Sequence, residues 1–157
     1  MTTIEKLIIF DFDFTIADTL NEFNPFVSTW TPLPGAKRLA HYYAKFPHHT
    51  YIVTARYEHF EGRGMIVKFL ATIGIDDFPP DHIFFAGFLK NFHRRKSEII
   101  RQLIVETKPK KVVVFDDGKA NRNFMETVED EFPHVNIVVV DPNLGSIVGR
   151  ATPDVDD

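Results

Sequence analysis

Two aspartates, Asp11 and Asp13, stand either side of one phenylalanine in the run FDFDFT at positions 10–15. Residues two apart in an extended segment share a side, so both carboxylates can converge on one substrate. One carboxylate can attack phosphorus and form an acyl phosphate. The other can protonate the leaving oxygen and then activate water. The plainer reading is a half-buried strand, with Phe facing the core and Asp facing water. Against it, Leu7, Ile8 and Ile9 just upstream show no alternation.

Further polar groups recur after apolar runs. Thr54, Ala55 and Arg56 follow YIV, Lys96 precedes a helical pattern, and Asp116 and Asp117 follow VVVF, with Asn121 beyond them. A hydroxyl and an ammonium suit donation to phosphoryl oxygens, where charge develops. A cluster of Asp11, Asp13 and an acid at 116–117 repels itself without a cation. Hard carboxylate oxygens at that density suit Mg²⁺, which also neutralises phosphate charge.

The elements that must position these groups are legible as five apolar runs: LIIF (7–10), YIV (51–53), IFFA (83–86), VVVF (112–115) and NIVVV (136–140). Continuous hydrophobicity fits strands of a parallel sheet covered on both faces. Helical patterns alternate with them: one after PG at 34–35, one over about 60–73 stopped by Gly74, one after Ser97, and one over about 119–132. The expected fold is α/β and doubly wound, with five parallel strands and helices on both faces. Ligands in such sheets bind beyond the carboxyl ends of the strands. The polar groups fall there. Solvated loops also carry charge, but rarely this mixture of acids, one hydroxyl and one lysine.

The 157 residues suit a single domain, expected over 1–150, with an acidic, frayed tail at 151–157. There is no cysteine, which excludes disulfides, thiolate metal sites and a cysteine nucleophile. The start, MTTIEKL, lacks the regions of a secretion signal, and no apolar run approaches a membrane span, so a cytoplasmic location is expected. The formal charge of −4 argues against a general polyanion binder. A local positive rim from Arg56, Arg94, Arg95, Lys96, Lys119 and Arg122 remains open, as does simple pairing of Arg94 and Arg95 with surface acids. KPKK at 108–111 reads as a solvated loop at the opposite end of the sheet. The seven histidines lack zinc-ligand spacing, Trp30 and Tyr57 read as packing residues, and GSIVG near the C-terminus reads as a turn. Thr19 and Glu22 have capping-box spacing, suggesting a helical turn, and positions 16–34 leave no room for a separate cap domain.

DFDFT, the Thr after the second strand, the Lys opening the third long helix and DDGKAN after the fourth strand together resemble the four motifs of the haloacid dehalogenase-like superfamily. The resemblance covers nearly the whole chain in motif order. It implies a Rossmann-like, capless phosphatase with Asp11 as nucleophile and Asp13 as general acid/base. It implies Thr54, with neighbouring Ala55, and Lys96 as phosphate binders. Mg²⁺ would be held by Asp11, the backbone carbonyl of Asp13 and an acid of the Asp116–Asp117 pair, with Thr15 and Asn121 supporting the ligands from behind. The acid at 13 favours phosphate over carbon–halogen chemistry.

The chain departs from the pattern at Phe14, where many members have Gly, which puts a bulky ring beside the substrate. It departs again at Asn121, where an acid is common. The stretch YIVTAR further resembles the phosphatase module of polynucleotide kinase/phosphatases, which implies Arg56 as a substrate-gripping residue and a nucleic-acid 3′-phosphate or nucleotide as substrate. The alternatives are a small-molecule phosphatase capped by a neighbouring subunit and a non-catalytic phosphate- or nucleic-acid-binding module.

Overall fold

The computed structural model describes residues 3–21, 24–58, 62–87, 91–142 and 146–148; at 119–122, 124 and 146–148 it describes the backbone alone. Each apolar run forms a strand: β1 (Ile4–Phe10), β4 (Thr50–Thr54), β5 (Ile83–Phe85), β6 (Pro109–Phe115) and β7 (Asn136–Asp141). Two short strands, β2 (Ala17–Asp18) and β3 (Thr31–Pro32), pair with each other apart from the main sheet. The five main strands are parallel in the order β5-β4-β1-β6-β7. Four helices connect them: α1 (Pro34–Lys45), α2 (Gly62–Thr72), α3 (Phe92–Thr107) and α4 (Lys119–Glu131). The architecture is the expected doubly wound, Rossmann-like α/β sheet.

Alternation along the strands explains the continuous apolar runs. Ile8, Phe10, Ile52, Val113 and Phe115 face α1 and α2, packing with Leu39, Tyr42, Ile66 and Phe69. Leu7, Ile9, Val53, Val112 and Val114 face α3 and α4, packing with Ile100, Leu103, Ile104 and Val128. Both faces are dry, so every position of the strand must be apolar. Phe10 and Phe115, partners in the β1–β6 ladder, stack at 4.4 Å and seal the last rung before the acids begin.

Several local expectations are corrected. The GSIVG turn is a strand at its centre: β8 (Ser146–Val148) pairs antiparallel with β7 as a sixth, edge strand. Of KPKK, Pro109, Lys110 and Lys111 begin β6 rather than a loop, and Lys110 pairs with Glu5 at 2.8 Å. Lys96 does not open its helix. α3 begins at Phe92, after Asn91 in a left-handed conformation, which puts Lys96 in the second turn. No helix forms at Thr19; its hydroxyl is used elsewhere, and Glu22 lies outside the described residues. Gly74 follows α2 with φ +91°, the left-handed stop expected of it. The tail at 151–157 lies outside the described residues. Among the described residues, no helix is long and apolar enough to cross a membrane.

The first turn of α1 presses on the loop after β1. A Cβ on Gly35 would meet the Thr15 carbonyl oxygen at 2.0 Å and its carbon at 2.8 Å. Backbone atoms on both sides cannot give way as a flexible side chain would. Gly35→Ala is therefore expected to cost about 1–3 kcal/mol, the usual range for overpacking. For a chain of this size that lowers Tm by roughly 3–10 °C in thermal denaturation. An unchanged Tm would show that α1 does not bear on this loop.

Candidate active site

The chain passes from β1 outward to β4 and β5, then returns across β1 to β6, so its direction reverses between β1 and β6. A crevice opens beyond the carboxyl ends of the strands at such a reversal. Asp11 leaves β1 there with its N–H donating to the Phe115 carbonyl at 2.8 Å, and Asp116 leaves β6 with its N–H donating to the Val140 carbonyl at 3.0 Å. Parallel register thus places the two acids side by side.

Lys96 lies between them. Its Nζ donates to Asp11 Oδ1 at 2.8 Å and Asp116 Oδ2 at 3.0 Å, with all three side chains buried. Thr15 Oγ1 lies 3.2 Å from both Asp11 Oδ2 and Asp117 Oδ1 and accepts the Asp117 N–H at 3.2 Å. The hydroxyl has one proton, so it serves one carboxylate at a time. Asp116 Oδ1 accepts the Gly118 N–H at 2.8 Å, which orients this carboxylate from its other side.

Oxygens of Asp11, Asp116 and Asp117 all lie within 4.8 Å of one another. Within this group of four, three ionised carboxylates and a protonated Lys96 would carry a net charge of −2. Burial pushes the Asp11 carboxyl well above its usual range; Asp116 and Asp117 add to this, and Lys96 opposes it. Burial also raises Asp117, with Asp116 adding and a hydrogen bond from Asp11 opposing. Burial works against the charge on Lys96, yet Asp11 and Asp116 outweigh it and hold the ammonium above its ordinary pKa. Three hard carboxylate oxygens at this spacing fit a divalent cation.

Asp13 belongs to a separate arrangement. Its carboxylate meets Arg56, with Nε 3.0 Å from both oxygens and Nη2 2.7 Å from Oδ1, and Thr19 Oγ1 donates to Oδ1 at 2.6 Å. Arg56, expected on an exposed rim, is buried, its guanidinium carbon 4.6 Å from the Trp30 ring centroid. Sequence reasoning missed this pairing, and read Thr19 as a helix cap rather than as a donor to Asp13. Trp30 is a packing residue, edge-on to Phe12 at 5.5 Å.

The other expected residues are scattered around these two groups. Thr54 is fully buried; its hydroxyl accepts the Arg56 N–H at 3.2 Å, and no described group accepts its own proton. Ala55 is buried beside it. Phe14 is half-buried with φ 61°. Arg94 pairs with Glu98 at 3.2 Å, the surface pairing left open for it, and Arg95 is exposed. The side chains of Asn121, Lys119 and Arg122 lie outside the described residues. Among described residues 16–33 there is only the β2–β3 pair and a short 3-10 turn, so no cap domain stands there. A cavity of about 470 Å³ beside β3 and the start of α1, lined by Leu33, Ala36 and Ile73 among others, contains none of the acids.

Comparison of the chain with family models, with curated proteins and with solved structures found no match.

The raised carboxyl groups define a pH signature. A carboxyl whose folded pKa lies above its ordinary 3.8 stabilises fully below that value and loses its contribution as pH rises through the folded pKa. The metal-free protein thus loses this contribution as pH rises above the ordinary carboxyl value, while a cation gains ligands as the carboxyls ionise. Adding Mg²⁺ is expected to raise Tm more at about pH 8 than at about pH 5. At about a hundred times Kd the gain is about 2.7 kcal/mol, roughly 5–10 °C. A larger gain at the lower pH would contradict a carboxylate cation site.

Proposed function

We propose that the chain is a Mg²⁺-dependent phosphomonoester hydrolase of the haloacid dehalogenase-like type, working through an aspartyl phosphate. One observation carries the reading: buried Asp11, Asp116 and Lys96 meet half-buried Asp117 at the sheet reversal, with a second acid two residues beyond Asp11. A purely structural ion cluster needs no Asp13 in that place.

Asp11, Asp116 and Asp117 would hold the cation, which when bound neutralises phosphate charge. The Asp11 carboxylate attacks phosphorus, the bond to the leaving oxygen breaks, and Asp13, entering this step in its protonated form, gives that oxygen its proton. Asp13 then takes a proton from water as the water attacks the acyl phosphate. Inorganic phosphate leaves, and both carboxyls return to their starting forms. Lys96, held at Asp11 by its 2.8 Å bond, stands where it can also donate to a phosphoryl oxygen. The unassigned proton of Thr54 is a second donor of the same kind.

The substrate class we propose is a phosphate at a nucleic-acid 3′ end or on a nucleotide. It is supported by the absence of a cap domain among described residues 16–33 and by the exposed Arg95 on the helix that carries Lys96.

Hydrolysis of an aryl phosphate is expected to require Mg²⁺ and to stop on chelation. Asp11→Asn should lower kcat by about a thousandfold or more and abolish a hydroxylamine-sensitive phosphoprotein. Full activity in that variant would exclude the covalent route. Among 3′-phosphorylated oligonucleotides, 5′-phosphorylated ones and mononucleotides, the first should turn over with the highest kcat/KM. Turnover of mononucleotides alone would remove the nucleic-acid end as substrate.

A further inference from the structure

Arg56 carries five N–H groups, and four of them have described acceptors. Nε serves both oxygens of Asp13, Nη2 serves Asp13 Oδ1 at 2.7 Å and the Asn21 carbonyl at 3.4 Å, and Nη1 serves the Asn24 carbonyl at 3.3 Å. The set closes on itself. Asn24 Nδ2 donates to the Thr19 carbonyl at 2.8 Å, and Thr19 Oγ1 donates back to Asp13 Oδ1. This ring joins three separate stretches of chain: the loop after β1, the connection between β2 and β3, and the loop after β4.

We propose that Arg56 is a positioning residue for the general acid, fixing the plane of the Asp13 carboxylate and choosing which of its oxygens meets the substrate. This rests on the phosphatase reading above. A planar guanidinium fork orients a carboxylate as a single ammonium does not. Among the described residues, Oδ1 takes bonds from Nε, Nη2 and Thr19, whereas Oδ2 takes only the shared Nε bond. Proton exchange with a leaving oxygen therefore passes through Oδ2. The same guanidinium holds the carbonyls of Asn21 and Asn24, so the loop between β2 and β3 is set by the group that sets the acid. An arginine 5% exposed, over Trp30 and committed to these acceptors, is not placed as an open grip on substrate.

Dependence on the leaving group separates the two roles. A p-nitrophenolate departs with little help from an acid, whereas an alkoxide needs its proton. With Mg²⁺ present, Arg56→Ala is expected to lower kcat on an alkyl phosphate by about 10²–10⁴-fold. On p-nitrophenyl phosphate the loss should stay below about tenfold, and KM for both should change little. Asp13→Asn should show the same selectivity. Because removing the cation strands a buried carboxylate and threatens folding, Arg56→Lys provides the second arm. It keeps the charge without the fork, and an intermediate loss confined to the alkyl phosphate is expected. An equal loss on both substrates with raised KM would overturn the proposal in favour of a substrate grip. No loss in Arg56→Lys on either would overturn it in favour of a structural pair. Failure of the phosphatase reading has a different mark: wild-type protein inactive on both phosphates, or Asp11→Asn still active, either of which removes this proposal as well.

Discussion

One buried ammonium holds the site together. Lys96 reaches from α3 to the carboxylates that end β1 and β6, and its position requires several things to be right at once. β1 and β6 must be neighbours in register, Phe10 against Phe115, for Asp11 and Asp116 to emerge side by side. A slip of one residue would exchange side chains between the two buried faces and carry Asp11 out of step with Asp116. α3 must also lie with Ile100, Leu103 and Ile104 on the sheet, and Lys96, one turn before Ile100, shares that face. The apolar stripe of α3 therefore aims its lysine. Losing the ammonium would leave two buried carboxylates facing each other, among the costlier defects a fold can carry.

The two acids of FDFDFT live in different electrostatic settings. Around Asp11 the described side chains include three carboxylates and one lysine, a grouping of hard oxygens that suits a divalent cation. Asp13 is bonded, among the described residues, by Arg56 and Thr19, so a cation already stands beside it. A divalent cation is thus drawn to the first acid and has little reason to displace Arg56 from the second. Two carboxylates separated by one residue can do different chemistry only if their surroundings differ in this way.

The sheet was legible because burial on both faces forces uninterrupted apolar strands, and LIIF, VVVF and NIVVV have no other good reading. The meeting of Asp11, Lys96 and Asp116 was legible for a related reason: parallel strands deliver the residues at their carboxyl ends to one edge. The Arg56–Asp13 pair was not. The two residues are 43 positions apart and both lie in loops, so neither periodicity nor a sheet rule relates them. Thr19 suggested a capping box because its spacing to Glu22 fits one, but an acceptor from another turn claimed its hydroxyl. The edge strand at Ser146–Val148 was hidden by its brevity, and the first turn of α3 by polar residues at His93, Arg94 and Arg95 that give no apolar period. In each case the missing information was the path of a loop.

Phe14 shows what that path costs and does. Phe12 continues the strand's inward alternation, edge-on to Phe69 at 5.9 Å, and its carbonyl accepts from the N–H groups of Thr15, Ile16 and Ala17. Such a tight reversal needs a left-handed residue, and Phe14 supplies it at φ 61°, its N–H donating to the Ala17 carbonyl at 2.7 Å. A phenylalanine held there costs about 1–3 kcal/mol, where a glycine would cost almost nothing. The turn takes Asp13 off the line of β1, away from the carboxylate cluster at Asp11 and towards Arg56 and Thr19. Without that reversal the two aspartates would stay on one side of one strand, in one electrostatic environment. The left-handed Phe14 lies between Asp13 and Thr15, where the two settings divide.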